Sequence, residues 1–144
     1  MMLKTASTIL LIVVILGAIY SLVLIVSPQT VSGDSLKANE VLQNPAFEKA
    51  IYEVVMHMGA LALVANIGAF FILINGFKKG LKWGWWGFFL TGIVGWGYGL
   101  ARFIINGDTK NLIGHLIGIV LFLIGVLIPL KAFFPKKTTA APTP

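Results

Sequence analysis

The sequence predicts an all-α membrane protein: four transmembrane helices in an up-and-down bundle, with both termini in the cytoplasm. Three observations carry that expectation. Apolar residues make up 58% of the 144 and charged residues only 11%, against about 45–50% and about 25% in a soluble domain. A chain this short cannot bury so much apolar surface in water, because small domains bury the smallest share of their chain. Four apolar stretches each reach the roughly 20 residues that cross a hydrocarbon core of about 30 Å. Lysine and arginine, finally, fall unevenly on the two sides that those stretches define.

The first stretch runs from about Ala6 to Val26, with no charge between Lys4 and Asp34. Its apolar core exceeds the 7–15 residues of a signal-peptide h-region, and Ser27-Pro28-Gln29 follows in place of a small-x-small cleavage site, so it reads as a retained helix. Pro28 disfavours helix at Ser27 and sets the end. Asn44-Pro45 opens the second helix as an N-cap followed by proline at the first helical position. The second stretch runs from about Ile51 to Phe77, the third from about Trp83 to Ile105 and the fourth from about Leu112 to Leu130. Asn106-Gly107 is a C-terminal stop for the third, because glycine takes the left-handed conformation freely. Asp108 or Thr109 can cap the fourth, and Pro129 lies near its end. Lipid offers the backbone no hydrogen-bond partners, so each span is helix.

The expected organisation is one membrane domain over 1–135, with helices at about 6–27, 46–77, 83–105 and 111–131 and an outer loop over 28–45. Leu36, Val41 and Leu42 give that loop the pattern of a short surface helix. The tail, 136–144, is low-complexity and expected to be disordered. No internal repeat is visible.

Charge placement sets the orientation. Lys4, Lys78, Lys79, Lys82, Lys131, Lys136 and Lys137 lie on one side without an acid. Lys37, Lys49, Arg102 and Lys110 share the other with all five acids: Asp34, Glu40, Glu48, Glu53 and Asp108. The positive-inside rule places the first group, and with it both termini, in the cytoplasm. The net charge of +6 thus reports orientation in the plasma membrane; no basic patch interleaved with aromatics points to nucleic acid. Trp83, Trp85 and Trp86 are expected at the inner interface as an aromatic belt.

Small residues decide packing where lipid is as apolar as leucine. Gly95 and Gly99 form one GxxxG pair, Gly114 and Gly118 another, and Gly125 extends the second stripe. Packing within the bundle is the expected use, dimerisation the alternative. Asn66, mid-span, reads as an interhelical hydrogen bond.

Ionisable groups inside a membrane are candidate functional residues by default. Glu53 and His57 are i,i+4 on the second helix, Tyr98 and Arg102 i,i+4 on the third, and His115 lies one turn into the fourth; all five fall in the outer leaflet. Three readings stay open for this cluster. Glu53 and Arg102 can pair and the histidines hydrogen-bond around them as structural glue. The cluster can hold a quinone or a lipid head group. Or His57 and His115 can ligate haem or a metal, copper being raised by Met56 and Met58. No catalytic triad, phosphate loop, paired carboxylates or H-E-x-x-H motif is present, and the absence of cysteine removes thiolate chemistry. An enzyme is therefore not expected.

The run Gly95-Trp96-Gly97-Tyr98-Gly99-Leu100-Ala101-Arg102 and the segment Gly114-His115-Leu116-Ile117-Gly118 give the chain a layout that resembles the DoxX-like small four-helix membrane proteins. That group often carries an arginine in the first helix, which is uncharged here. The resemblance implies association with quinone-linked oxidoreductase complexes and carries over no catalytic residue. The function expected is a non-catalytic accessory subunit of a larger energy-converting or oxidising membrane complex, with lipids and other membrane subunits as partners. A protein binding quinone, haem or copper is the alternative, and a transporter or pore component a further one.

Overall fold

The computed structural model describes residues 2–31, 44–106 and 112–135, without the side chains of Arg102, Phe103 and Asn106. Regular structure among them is helical throughout: α1 (Met2–Val26), α2 (Pro45–Ile72) continued by a π-helical turn (Leu73–Phe77), α3 (Lys82–Asn106), α4 (Leu112–Leu127) and α5 (Leu130–Phe133). Among the described residues three helical segments are long and apolar enough to cross a membrane: Met2–Val26, Pro45–Phe77 and Leu112–Phe133. Their outward faces are apolar, with Leu61 72% and Ile113 70% exposed. Such faces are tolerable in lipid and not in water. The expected surface helix at Leu36, Val41 and Leu42, the Gly107 stop, the caps Asp108 and Thr109, and the 136–144 tail all lie outside the described residues.

Helix ends follow the punctuation. Ser27 is non-helical, directly after Val26. Asn44 caps α2: its Oδ1 accepts the Ala46 N–H at 3.0 Å and its carbonyl the Glu48 N–H at 3.0 Å. Pro129 cannot donate a backbone bond to the Gly125 carbonyl, and α4 stops at Leu127 before the short α5. The indole Nε1 of Trp85, from α3, donates to the neighbouring Val126 carbonyl at 3.0 Å. A side chain thereby serves a backbone acceptor beside the break, which lipid cannot do.

Contacts divide the chain into two compact units, one of residues 12–70 and one of the N-terminal eleven with 71–144. In the first, α1 and α2 run antiparallel. Gly17 lies under the Asn66 amide and Gly59 under Leu24 and Ile25. Asn66 Nδ2 donates to the Ala62 carbonyl at 2.8 Å and reaches Ser21 Oγ at 3.4 Å, while Ser21 donates to the Gly17 carbonyl at 2.8 Å. Asn66 thus makes the interhelical link that its mid-span position implied.

In the second unit the π-helical turn leads into α3. Its five-residue bonds run from Lys78 N–H to Leu73 O (2.8 Å) and from Leu81 N–H to Gly76 O (3.0 Å). Gly80, at φ 71°, closes the turn in the left-handed region. Gly76 and Gly84 then let the two backbones meet: a Cβ at Gly84 would strike main-chain atoms of Gly76 and Phe77. Phe77, Phe88, Phe122 and Phe133 fill the interior, and Leu10 of α1 seats on Gly125. Trp83 and Trp86 are about half exposed, as a belt requires, but Trp85 is 5% exposed. It stacks on Phe89 with ring centroids 4.8 Å apart. Its hydrogen bond to Val126 and this stacking bury it within the second unit, unlike its two neighbours.

The Gly84 contact yields a test. Gly84→Ala is expected to lower stability by about 1–3 kcal/mol, the usual cost of overpacking. Gly97→Ala, where no atom lies within 4 Å, is expected to be neutral or to stabilise by up to about 1 kcal/mol through helix propensity. Thermal unfolding of both variants in one detergent, followed by circular dichroism, compares them; equal midpoints would contradict the close approach.

Candidate functional site

The polar residues singled out in the sequence divide between the two units. On α2, Glu53 and His57 both face outward. Glu53 Oε1 lies 4.0 Å from Lys49 Nζ, one turn earlier, and both side chains are more than half exposed. Such a pair contributes about 0–1 kcal/mol. Among the described residues Glu53 pairs with Lys49; the side chain of Arg102, its partner in one of the three readings, lies outside them. His57 Nδ1 lies 2.6 Å from the Glu53 carbonyl. A carbonyl only accepts, so Nδ1 carries the proton, and Nε2 is the lone-pair nitrogen of the neutral ring. One turn earlier, Tyr52 donates its hydroxyl to Glu48 Oε1 at 2.8 Å.

His115 has a different setting. It projects from α4 onto α3, where Gly99 leaves space for its ring: a Cβ at Gly99 would collide with the imidazole. Its Nε2 lies 3.1 Å from the Trp96 carbonyl, so Nε2 is the donor. The ring also meets the Trp96 indole at 5.0 Å between centroids, inclined by 61°. The indole in turn covers Gly118 of α4. One turn further along, Phe122 of α4 covers Gly92 of α3. The pairs Gly92–Phe122, Trp96–Gly118 and Gly99–His115 follow one antiparallel register, with large and small residues alternating between the helices. Tyr98, by contrast, is 66% exposed and points away from this seam.

The structure thus joins His57 to the Glu53 backbone and His115 to Trp96, Gly99 and the α3 backbone. A ring nitrogen that donates to a carbonyl has no lone pair for a metal, so Nδ1 of His57 and Nε2 of His115 are not ligating atoms in this arrangement. Among the described residues no three His, Cys, Asp or Glu side chains gather as a metal set. Of the GxxxG pairs, Gly99 and Gly118 are covered, whereas at Gly95 and Gly114 a built Cβ meets no atom of another element within 4 Å among the described residues. Sequence reasoning passed over Trp96, Gly92 and Phe122 as packing partners. The available signal was spacing: glycine, aromatic, glycine at 92, 96 and 99 mirrors ring, glycine, ring at 115, 118 and 122.

Three apolar helical segments of spanning length, outward apolar faces and an interior sealed by aromatic–glycine contacts are the make-up of a helical membrane protein. Comparison with family models, with curated proteins and with solved structures finds no match.

The hydrogen bonds fix two tautomers that are directly observable. ¹⁵N spectra of the imidazoles in detergent micelles, recorded where both rings are neutral, are expected to show the proton on Nδ1 of His57 and on Nε2 of His115. The reverse pattern at either ring would contradict the corresponding bond.

Proposed function

We propose that the chain is a four-span protein of the plasma membrane, with both termini cytoplasmic, that serves as a non-catalytic accessory subunit of a larger energy-converting or oxidising membrane complex. The observation that carries this reading is the split use of the glycines. Gly99 and Gly118 are consumed by packing inside the chain, while at Gly68, Gly95, Gly97 and Gly114 a built Cβ meets no atom of another element within 4 Å among the described residues. In lipid, helices associate by close van der Waals packing through small residues, so open glycines on outward faces are where a helix of another subunit can approach. The donors described above are spent on holding the fold: His115 on Trp96, His57 on Glu53, Trp85 on Val126 and Asn66 on Ala62.

The fourth span is α3. Its 25 residues rise about 37 Å at 1.5 Å each. Its contacts with α4 extend from His115 on Gly99 to Trp85 on Val126, along most of a segment that is itself long and apolar enough to cross a membrane. A helix docked along such a segment shares its depth. The lysines at the α2–α3 turn, with Lys4 and Lys131, support a cytoplasmic placement of that end. The resemblance of the sequence to the DoxX-like proteins motivates the choice of a redox complex.

Mild-detergent extraction followed by native mass measurement tests the reading. The expected result is a species containing other membrane subunits. Gly95→Leu combined with Gly114→Leu is expected to lower their recovery severalfold while leaving helix content unchanged. A stable lone monomer from the native membrane would overturn the proposal.

A further inference from the structure

One open groove of about 330 Å³ lies within the second unit, between the start of α1 and the π-helical turn. Both of its walls run from charge to hydrocarbon. On α1, Lys4, Ser7, Thr8 and Leu11 follow one another at i, i+3, i+4 and i+7, which is one helix face. On the other wall the order is Lys78, then Ile74 and Leu73. Lys78 stands four residues after Ile74 and, through its five-residue bond to the Leu73 carbonyl, one π-helical turn after Leu73, so the three residues line one wall.

The two hydroxyls in the groove have spent their protons. Ser7 donates to the Leu3 carbonyl at 2.8 Å and Thr8 to the Lys4 carbonyl at 3.1 Å. The ammonium groups of Lys4 and Lys78 are therefore the donors that face the opening. Both lysines are exposed, no acid lines the groove, and among the described residues neither has an acidic partner. Two cations at one end and an apolar floor of Leu11, Leu73 and Ile74 beneath them match an amphiphile with an anionic head and hydrocarbon tails.

We infer that this groove is a binding site for an anionic phospholipid, its phosphate held between Lys4 and Lys78 and its acyl chains laid along Leu11, Leu73 and Ile74. The inference rests on the membrane placement proposed above. Lysine is a well-suited point charge for phosphate, and a basic residue near an anionic membrane surface strengthens binding by about fivefold. Loss of both lysines therefore corresponds to a decrease on the order of thirtyfold.

The full chain, reconstituted in nanodiscs of phosphatidylcholine and phosphatidylglycerol in equal parts, is released into mild detergent and its bound lipid read by native mass spectrometry. The expected result is one retained phosphatidylglycerol in preference to phosphatidylcholine. It is lost in K4Q/K78Q, kept in K4R/K78R, and kept in K131Q, which removes a lysine outside the groove. Equal retention of the two lipids, or equal loss in K131Q and K4Q/K78Q, would overturn the site. A carbonate wash of membranes carrying the same chain separates the two failures: a chain that washes off refutes the membrane placement, whereas one that stays but holds no selective lipid refutes only the groove.

Discussion

The seam between α3 and α4 is held by rings seated on glycines, and the second unit is arranged around that constraint. Burying apolar side chains against each other yields little in lipid, because the tails are equally apolar. What remains is contact density: each atom pair contributes only about 0.1–0.2 kcal/mol, so helices must approach closely enough to make many. Phe122 on Gly92, Trp96 on Gly118 and His115 on Gly99 achieve that by alternating which helix supplies the ring. With this register set, Trp85 reaches the Val126 carbonyl and Leu10 finds Gly125.

Satisfaction of polar groups is the companion constraint. A backbone acceptor in hydrocarbon has no water to turn to, and the chain answers with side chains. The Trp85 indole serves the α4 carbonyl beside the proline break; the Asn66 amide serves a carbonyl of its own helix and reaches toward α1. His115 belongs to the same economy, since it donates to the Trp96 carbonyl within the seam. The groove beside the π-helical turn is different in kind, because its lysines are not absorbed by the fold.

Much of this was legible one residue at a time. Asn44-Pro45 announced the start of α2, Ser27-Pro28 the end of α1, and the mid-span position of Asn66 its interhelical role; each depends on local backbone chemistry or on the cost of a polar group in lipid. The candidate site was less legible. Helical spacing placed Glu53 beside His57 and Tyr98 on the turn before Arg102 correctly. It does not say which way a helix is rotated against its neighbours. His115 turned inward and Tyr98 outward for that reason, and Glu53 met Lys49 on its own helix.

The sequence by itself determined that the chain is helical and apolar enough for a membrane, because hydrocarbon-length runs and backbone satisfaction leave no other regular structure. It also determined where α1 ends and α2 begins, because proline and asparagine act within a turn of themselves. Only the tertiary structure decided which glycine of each GxxxG pair is covered, that Trp85 is buried against Val126 and Phe89, and that Lys4 and Lys78 line one groove. These depend on rotation and register between helices. Those are set by how rings and glycines interlock across the seam, a relation that no single stretch of sequence contains.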